Sequence, residues 1–475
     1  MLKRLLQNLT TTVAKLTSQH ADRRGAQPWI EEMNRARRAA KRGRLEEAEK
    51  LLRRTPPCEP GAEASFRKEM ARSWHAVAAR WAERDEDSKA IEAYGETLKL
   101  APDDLEAWHR LGHLHEELGQ TSEAKSAFET YSSLARVQGA GLDEALALSH
   151  LGDLAFDDDR LEESAGHYER SLRVAESLGR QHGIGYVLTK LGDIAEAREA
   201  WEEAEVYFHR ALEIDRALED QDDLLVDLER LGSLAWLRED WDGAAGYYQQ
   251  VLEIEQKRGS KAEAASALRR LGDIASEQDD RDKAETLIKR ALSIYATLEQ
   301  QVDVAGCLLD LSALSDQRDR PREAAKHASA ALELYDELGN RKGMARALAK
   351  LGCAETDVQD FDAAERHFAE SLRLWRQLDR PWYVAWVTEK LALAVFERGE
   401  LDRALELYQS ALQLYRQHGD PEDAGCCLAQ IGYVFEAMGE MEDAQAAWRE
   451  AIALYEEAGS SEDADKLRLE AFGGP

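Results

Sequence analysis

Leucine or isoleucine recurs every forty residues through most of the chain. These positions are Leu111, Leu151, Leu191, Leu231, Leu271, Leu311, Leu351, Leu391 and Ile431. A small residue follows each of them, as Gly192 does, and another small residue comes twelve positions later, as at Ala204. Four residues further on stands a bulky side chain such as Phe208, with Ala328 as the exception. A fixed period of this length predicts a repeat architecture.

Each forty-residue copy splits into two stretches with helical periodicity, joined by a polar turn. In one copy the first stripe is Val187, Leu188, Leu191 and Ile194, and the second is Ala204, Phe208, Ala211, Leu212 and Ile214. A glycine within a helix costs about 1 kcal/mol relative to alanine. A repeated glycine therefore predicts that two helices cross closely there, with the bulky residue filling the groove beside the crossing. Glycines also close many copies, at Gly139, Gly179, Gly259, Gly339, Gly419 and Gly459.

The copy before this register has a shorter period: Trp74 and Trp108 are thirty-four residues apart, and Ala90, Tyr94 and Pro102 lie between them. This pattern resembles the tetratricopeptide repeat family, and the forty-residue copies resemble the longer form found in kinesin light chains and GoLoco-containing G-protein modulators. The resemblance implies an all-α fold, a right-handed α-solenoid superhelix of about eleven antiparallel helix pairs.

The sequence divides into five predicted segments. Residues 1–28 form a basic amphipathic segment, 29–69 a degenerate capping helix pair with a loop, and 70–104 a repeat of thirty-four residues. Residues 105–460 hold nine repeats of forty residues, and 461–475 form a C-terminal cap and tail.

Charge and composition indicate which partners and which compartment to expect. The chain carries a net charge of −31, yet residues 1–57 carry fourteen Lys/Arg against six Asp/Glu. We therefore expect no nucleic acid on the acidic repeat body, because binding requires cations that neutralise phosphates. The five cysteines form no CxxC pair, which favours reduced thiols in a cytoplasmic protein. Arginine outnumbers lysine, as is typical of GC-rich bacterial genomes.

The family resemblance implies that the first helix of each pair lines a concave groove. Side chains at four positions around the repeated Leu/Ile would then face a partner. They are Asp153, Phe156, Asp193, Glu196, Trp236, Asp273, Glu277, Asp316, Asp357, Phe396, Glu397, Tyr433 and Glu436. Acidic and aromatic side chains together suit a peptide that carries Arg or Lys. The alternative is that these acids are ordinary solvated helix faces.

Histidines form the sharpest local cluster. His75, His109 and His113 occupy groove positions of adjacent copies, and His109 and His113 are spaced i and i+4, which allows two imidazoles to share a metal ion. His75 or Glu117 would supply a third ligand. A surface histidine pair without metal is the commoner case, and a pH-sensitive contact with a partner is the alternative that we favour. The sequence contains no nucleotide-binding, hydrolase or metalloprotease motif, so we expect no enzyme and no cofactor.

Residues 1–20 contain no acid, and their leucines share one helical face with nearby Lys and Arg. Such a segment can cap the array, bind a partner, or touch an anionic membrane through about residues 1–24. The main hypothesis is a scaffold or adaptor that binds a basic protein or peptide segment in the groove. The alternative is a self-assembling structural protein or a membrane-surface assembly factor that uses the N-terminal segment. The sequence does not indicate the oligomeric state.

Overall fold

A computed structural model describes residues 28–418 and 421–473. Twenty-three α-helices and no strand occur in these ranges, as the periodicity predicts. The predicted N-terminal segment, apart from Pro28, lies outside the described residues, and so does Gly419. The chain forms two compact units that divide between Arg230 and Leu231.

The first unit, called unit N, ends within the helix that contains Arg230. Its helices are α1 (Pro28–Lys41), α2 (Leu45–Arg54), α3 (Glu63–Ala82), α4 (Asp87–Leu100), α5 (Leu105–Glu117), α6 (Thr121–Gln138), α7 (Gly141–Asp157), α8 (Leu161–Ser177), α9 (Gln181–Ala197), α10 (Trp201–Leu218) and the first part of α11 (Gln221–Leu237).

The second unit, called unit C, begins at Leu231 in α11. Its remaining helices are α12 (Trp241–Arg258), α13 (Lys261–Glu277), α14 (Arg281–Thr297), α15 (Gln301–Gln317), α16 (Pro321–Glu337), α17 (Arg341–Asp357), α18 (Phe361–Gln377), α19 (Pro381–Glu397), α20 (Leu401–His418), α21 (Pro421–Met438), α22 (Met441–Ala458) and α23 (Ser461–Phe472).

Within each unit, consecutive helices pack as antiparallel pairs, and each pair stacks on the next. The odd-numbered helix of a pair is called its first helix and the even-numbered one its second helix. Each unit is therefore an α-solenoid in which a repeat packs mainly on its neighbours in sequence.

The repeated glycine lies where the two helices of a pair cross. A β-carbon added to Gly112, Gly152, Gly192, Gly232, Gly272, Gly352 or Gly432 would stand under 3.0 Å from the bulky side chain sixteen residues later. The copy with Ala328 at the bulky position has Ser312 in place of glycine, and the Ser312 hydroxyl donates to the Ala324 carbonyl at 2.9 Å. Small residues thus permit the close helix crossing that the sequence pattern predicts.

The turns between helices reverse the chain through a residue in the left-handed region. Glycine takes this conformation at Gly139 and Gly339, but acidic residues take it elsewhere, as at Glu219 and Glu299, each with φ of 57°. The residue after the turn caps the next helix in several copies. Asp240, for example, accepts a hydrogen bond from the Gly243 amide, which satisfies a donor that the helix leaves unpaired.

Candidate functional site on the first helices

The first helices of successive pairs lie side by side in each unit, as direct contacts between their side chains show. In unit N, the Tyr186 hydroxyl on α9 donates to Asp153 on α7 at 3.3 Å. In unit C, the Ser276 hydroxyl on α13 donates to Gln317 on α15 at 2.9 Å. The surface that these helices present in each unit is called the first-helix face. It carries the residues that the sequence assigns to partner binding.

Two of the predicted groove acids in unit N have partners within the repeats. Asp153 accepts hydrogen bonds from the hydroxyls of Tyr168 and Tyr186. Asp193 forms an ion pair with Arg230 on the next first helix, with Oδ1 and Nε 3.0 Å apart. Burial raises the pKa of both carboxyls despite these partners. Asp153 and Asp193 therefore join neighbouring helices and are less available to an outside ligand than their sequence positions suggest.

A residue one position before the repeated leucine explains this pairing. In unit N this position holds Lys190 and Arg230, and their positive charges lower the pKa of Asp153 and Asp193 respectively, against the larger effect of burial. The cation of one repeat thus stabilises the ionised aspartate of the repeat before it. Glu196, also near Arg230, is half-buried, and burial raises its pKa as well.

Asp273 in unit C lacks such a cation, because the equivalent position in the next repeat is Asp310. Arg269 donates instead to Asp310, with Nη2 and Oδ1 3.1 Å apart. Burial, together with the neighbouring Asp310, raises the pKa of Asp273 to about 7. Asp273 therefore also lies among charged groups of the repeats themselves, Arg269 and Asp310.

The remaining predicted acids of unit C are different, because all of them are exposed. They occupy the last turns of five successive first helices and are called the carboxylate row: Glu277, Asp316, Asp357, Glu397 and Glu436. The Asp357 residue as a whole is exposed, but partial burial of its carboxyl and the neighbouring Asp316 raise its pKa to about 6, and Glu397 adds to the effect. The row thus concentrates negative charge.

Arginines close to the row in sequence bind other carboxylates. Arg281 pairs with Asp279 at 2.7 Å, Arg318 with Asp282 at 2.7 Å, and Arg398 with Asp362 at 3.1 Å. The last turns of α13, α15, α17, α19 and α21 contain no basic residue. The last turns of these helices thus hold no basic side chain in the described part of unit C, although Arg318 and Arg398 follow as the C-cap residues of α15 and α19. Arg281 donates to the Gln317 carbonyl at the end of α15 at 2.8 Å.

The predicted groove aromatics differ in exposure. Phe156 on α7 is exposed, at 37% of its surface. Trp236 is half-buried and packs edge-on against Trp241, with ring centroids 5.1 Å apart. Phe396 is half-buried against the core beside Glu397. The Tyr433 hydroxyl donates to Glu470 at 2.7 Å.

The histidine cluster is only partly the predicted one. His109 and His113 on α5 come together with His150 on α7, and one ring nitrogen of each lies within 4.8 Å of the other two. His75 lies elsewhere, near Asp104 and Glu106 at 3.6 and 3.7 Å, and Glu117 is exposed to solvent. The third member is thus His150, where the sequence suggested His75 or Glu117.

The sequence does hold a signal for His150 that the groove positions miss. Lys or Arg occupies the equivalent place in most copies, as at Arg110, Lys190 and Arg230. Burial, followed by the neighbouring His113, lowers the pKa of His150 to about 4. The same two causes lower the pKa of His109. These two imidazoles are therefore neutral near pH 7.

Two further features concern the thiols and the helices of the chain. The five cysteines are free. Among the helices of the described ranges, none is long and apolar enough to cross a membrane. The predicted membrane contact of residues 1–24 lies outside the described residues.

Comparison with family models identifies the class of protein. Tetratricopeptide repeat models match residues 105–137, 143–217, 223–297, 344–378 and 383–458. These matches cover more than half of the chain, so the chain belongs to the tetratricopeptide repeat family, as its repeat pattern predicts. Membership supports a protein-interaction scaffold.

Solved structures share this fold at low sequence identity. The apo form of RapI is 14% identical with a TM-score of 0.50, and the match covers 58% of this chain and 99% of RapI. A STAND protein with a tetratricopeptide repeat sensor, from Pyrococcus horikoshii, is 15% identical with a TM-score of 0.51, and the match covers 78% of this chain and 54% of that protein. The comparison with curated proteins finds no match.

Proposed function

We propose that this chain is a non-catalytic, cytoplasmic scaffold that binds a basic segment of a partner protein along the carboxylate row of unit C. The observation that carries the proposal is the row itself: one exposed carboxylate in the last turn of each of five successive first helices. The inner acids Asp153, Asp193 and Asp273 support the repeats and are not assigned to the partner.

Electrostatics favour an outside cation at the row. The C-terminal end of a helix carries a partial negative charge, so a carboxylate there is unfavourable and a cation is favourable. Each helix of the row places a carboxylate at this end and no basic residue in the same turn. A partner arginine or lysine would relieve repulsion between the carboxylates and interact with the helix ends.

The pKa of Asp357 supports this interpretation. Its rise to about 6 has burial as its first cause and the adjacent Asp316 as its second. A bound cation would stabilise the ionised form of this carboxyl and lower its pKa. Binding of a basic segment should therefore release protons from the row near pH 6.

The spacing of the row indicates the form of the partner. Packed helices lie about 8–10 Å apart, and an extended chain advances about 3.3 Å per residue. An extended segment with a cation at every third residue would therefore place one cation near each carboxylate. Phe396 beside Glu397 offers a partly exposed ring for an apolar or guanidinium contact.

Fluorescence anisotropy with a labelled peptide tests this proposal. The probe is a fifteen-residue peptide with arginine at every third position and small residues between, and a second peptide has glutamate at those positions. The full chain should bind the arginine peptide and not the glutamate peptide. Affinity should fall as salt is raised, because exposed charges are screened.

Matched variants test whether the arginine peptide binds at the carboxylate row. The row variant carries Asp316→Lys, Asp357→Lys and Glu397→Lys. The control variant carries Glu333→Lys, Glu406→Lys and Glu457→Lys, which makes the same change in net charge at exposed positions of second helices. The row variant should lose binding of the arginine peptide and the control should keep most of it. Equal loss in both variants would show attraction to net charge alone and would overturn the proposal.

A further inference from the structure

We propose that His109, His113 and His150 form a binding site for one divalent transition-metal ion of the type that prefers imidazole, such as Zn²⁺. The site lies in unit N, apart from the carboxylate row, and does not rest on the proposed scaffold function. It joins α5 and α7, the first helices of two neighbouring repeats.

The geometry brings three imidazoles to one point. His109 and His113 share one face of α5 through their i, i+4 spacing, and His150 meets them from α7. Ring centroids are 4.7 Å apart for His109 and His113 and 4.4 Å apart for His113 and His150. Nitrogen ligands of a tetrahedral zinc ion are about 3.4 Å from one another, given bonds of about 2.1 Å. The separations here, all within 4.8 Å, need only small side-chain rotations to match.

Two histidines of the cluster have a buried ring nitrogen without a hydrogen-bond partner. Nε2 of His109 and Nε2 of His150 are both buried, and neither has a hydrogen-bond partner among the described residues. A buried polar atom without a partner is unfavourable and calls for a ligand or a structural explanation. A lone pair directed at a metal ion would provide one.

The surroundings supply the outer contacts that metal-binding histidines usually have. Nδ1 of His113 lies 3.3 Å from the Glu116 carboxylate, so Glu116 can orient the ring and leave Nε2 for the metal. The ring of Phe128 stacks on His150 with centroids 4.6 Å apart and planes 13° from parallel, which fixes the orientation of that ring.

The cluster is open to solvent at His113, whose side chain is 36% exposed. His150 also borders a cavity of about 470 Å³ between α7 and α9, whose lining includes Asp153 and Tyr186 but neither His109 nor His113. Three imidazoles occupy three positions of a tetrahedral ion and leave the fourth for water. A bound ion would connect the two repeats and should stabilise the folded chain, since the three ligands meet only when it is folded.

A titration with Co²⁺ alone tests the site, using the full chain without a histidine tag. Wild type should bind one Co²⁺ per chain with the visible absorption of a nitrogen-ligated tetrahedral site, and Zn²⁺ should displace it. The variants His150→Gln and His113→Gln should lose this spectrum. His113 is the milder site for substitution, because its side chain is 36% exposed, and circular dichroism verifies that each variant is folded.

Two matched variants separate this site from other histidines. His167→Gln changes a half-buried histidine on α8. His182→Gln changes the exposed histidine of a second cluster, whose other members, Asp220 and Asp223, are half-buried. Both should keep the Co²⁺ spectrum, and Zn²⁺ should raise the Tm of both as much as we expect for wild type. No uptake by wild type, or uptake lost in His182→Gln and kept in His150→Gln, would overturn the proposal.

Discussion

The ring of Phe208 on α10 lies against Gly192 on α9, so that a β-carbon added to the glycine would stand 2.4 Å from ring atom Cε1. The Gly192→Ala variant should therefore lose stability, because displacing a packed ring costs about 1–3 kcal/mol. Over most of this range the cost exceeds the gain of about 1 kcal/mol in helix propensity. Thermal unfolding followed by circular dichroism measures the change.

Gly166 on α8 provides the control, since a β-carbon there meets nothing within 4 Å. Gly166→Ala should be neutral or stabilising. In a Phe208→Ala background, Gly192→Ala should cost much less, as the natural Ser312 and Ala328 pairing suggests. Equal effects of the two glycine substitutions would contradict the close crossing.

The turn residue Glu299 has a left-handed backbone with φ of 57°, where Gly339 in the next repeat has φ of 63°. A side chain in this conformation costs about 1 kcal/mol. Glu299→Gly should raise the denaturant midpoint, and Gly339→Ala, which meets no neighbouring atom within 4 Å, should lower it. If both substitutions lower the denaturant midpoint, the left-handed backbone of Glu299 does not destabilise the chain.

A buried acid pair in unit N should make stability depend on pH. Asp227 on α11 is 1% exposed and accepts from the Thr189 hydroxyl at 2.8 Å. Burial raises its pKa from 3.8 to about 8, and the adjacent Asp215 and Asp223 add to the rise. His182 and Asp220 also act on this pair through Asp215. Between about pH 4 and pH 8, the folded chain therefore holds a proton on Asp227 that the unfolded chain has released.

For a carboxyl whose folded pKa is raised, the proton-linked stability is full below the unfolded pKa and is lost as pH rises through the folded pKa. The loss here runs from about pH 4 to about pH 8. Asp227→Asn should flatten the fall of Tm over this range and raise Tm at pH 8.5 relative to wild type. Glu213→Gln, exposed on α10, is the control. An unchanged pH slope in Asp227→Asn would contradict the assignment.

Asp153 and Asp316 were both predicted to face a partner, yet their substitutions should differ. Asp153→Lys removes the acceptor of Tyr168 and Tyr186 and should lower Tm by several degrees, since it breaks a partly buried polar network. Asp316→Lys, at an exposed site, should change Tm little. Comparable losses of Tm would show that Asp316 is structural too.

The repeat period predicts the helices, the pairing and the glycine crossing, because these depend on spacing within one copy. The division of acids into engaged and exposed sets depends on contacts between copies. Asp193 and its partner Arg230 are thirty-seven residues apart, and their meeting follows from the register in which two first helices stack. His150 was missed for the same reason, since it reaches His109 and His113 from the next repeat. The sequence orders the repeats, while the stacking decides which side chains meet.

Photo-crosslinking with the arginine peptide can show whether the carboxylate row is the partner site. The peptide carries a benzophenone group at its centre, is bound to the full chain at low salt, and is irradiated, and the modified residues are mapped by mass spectrometry. We expect crosslinks on the last turns of α15, α17 and α19, which disappear at high salt and in the row variant. Crosslinks confined to second helices, to unit N or to residues 1–27 would contradict the carboxylate row as the partner site.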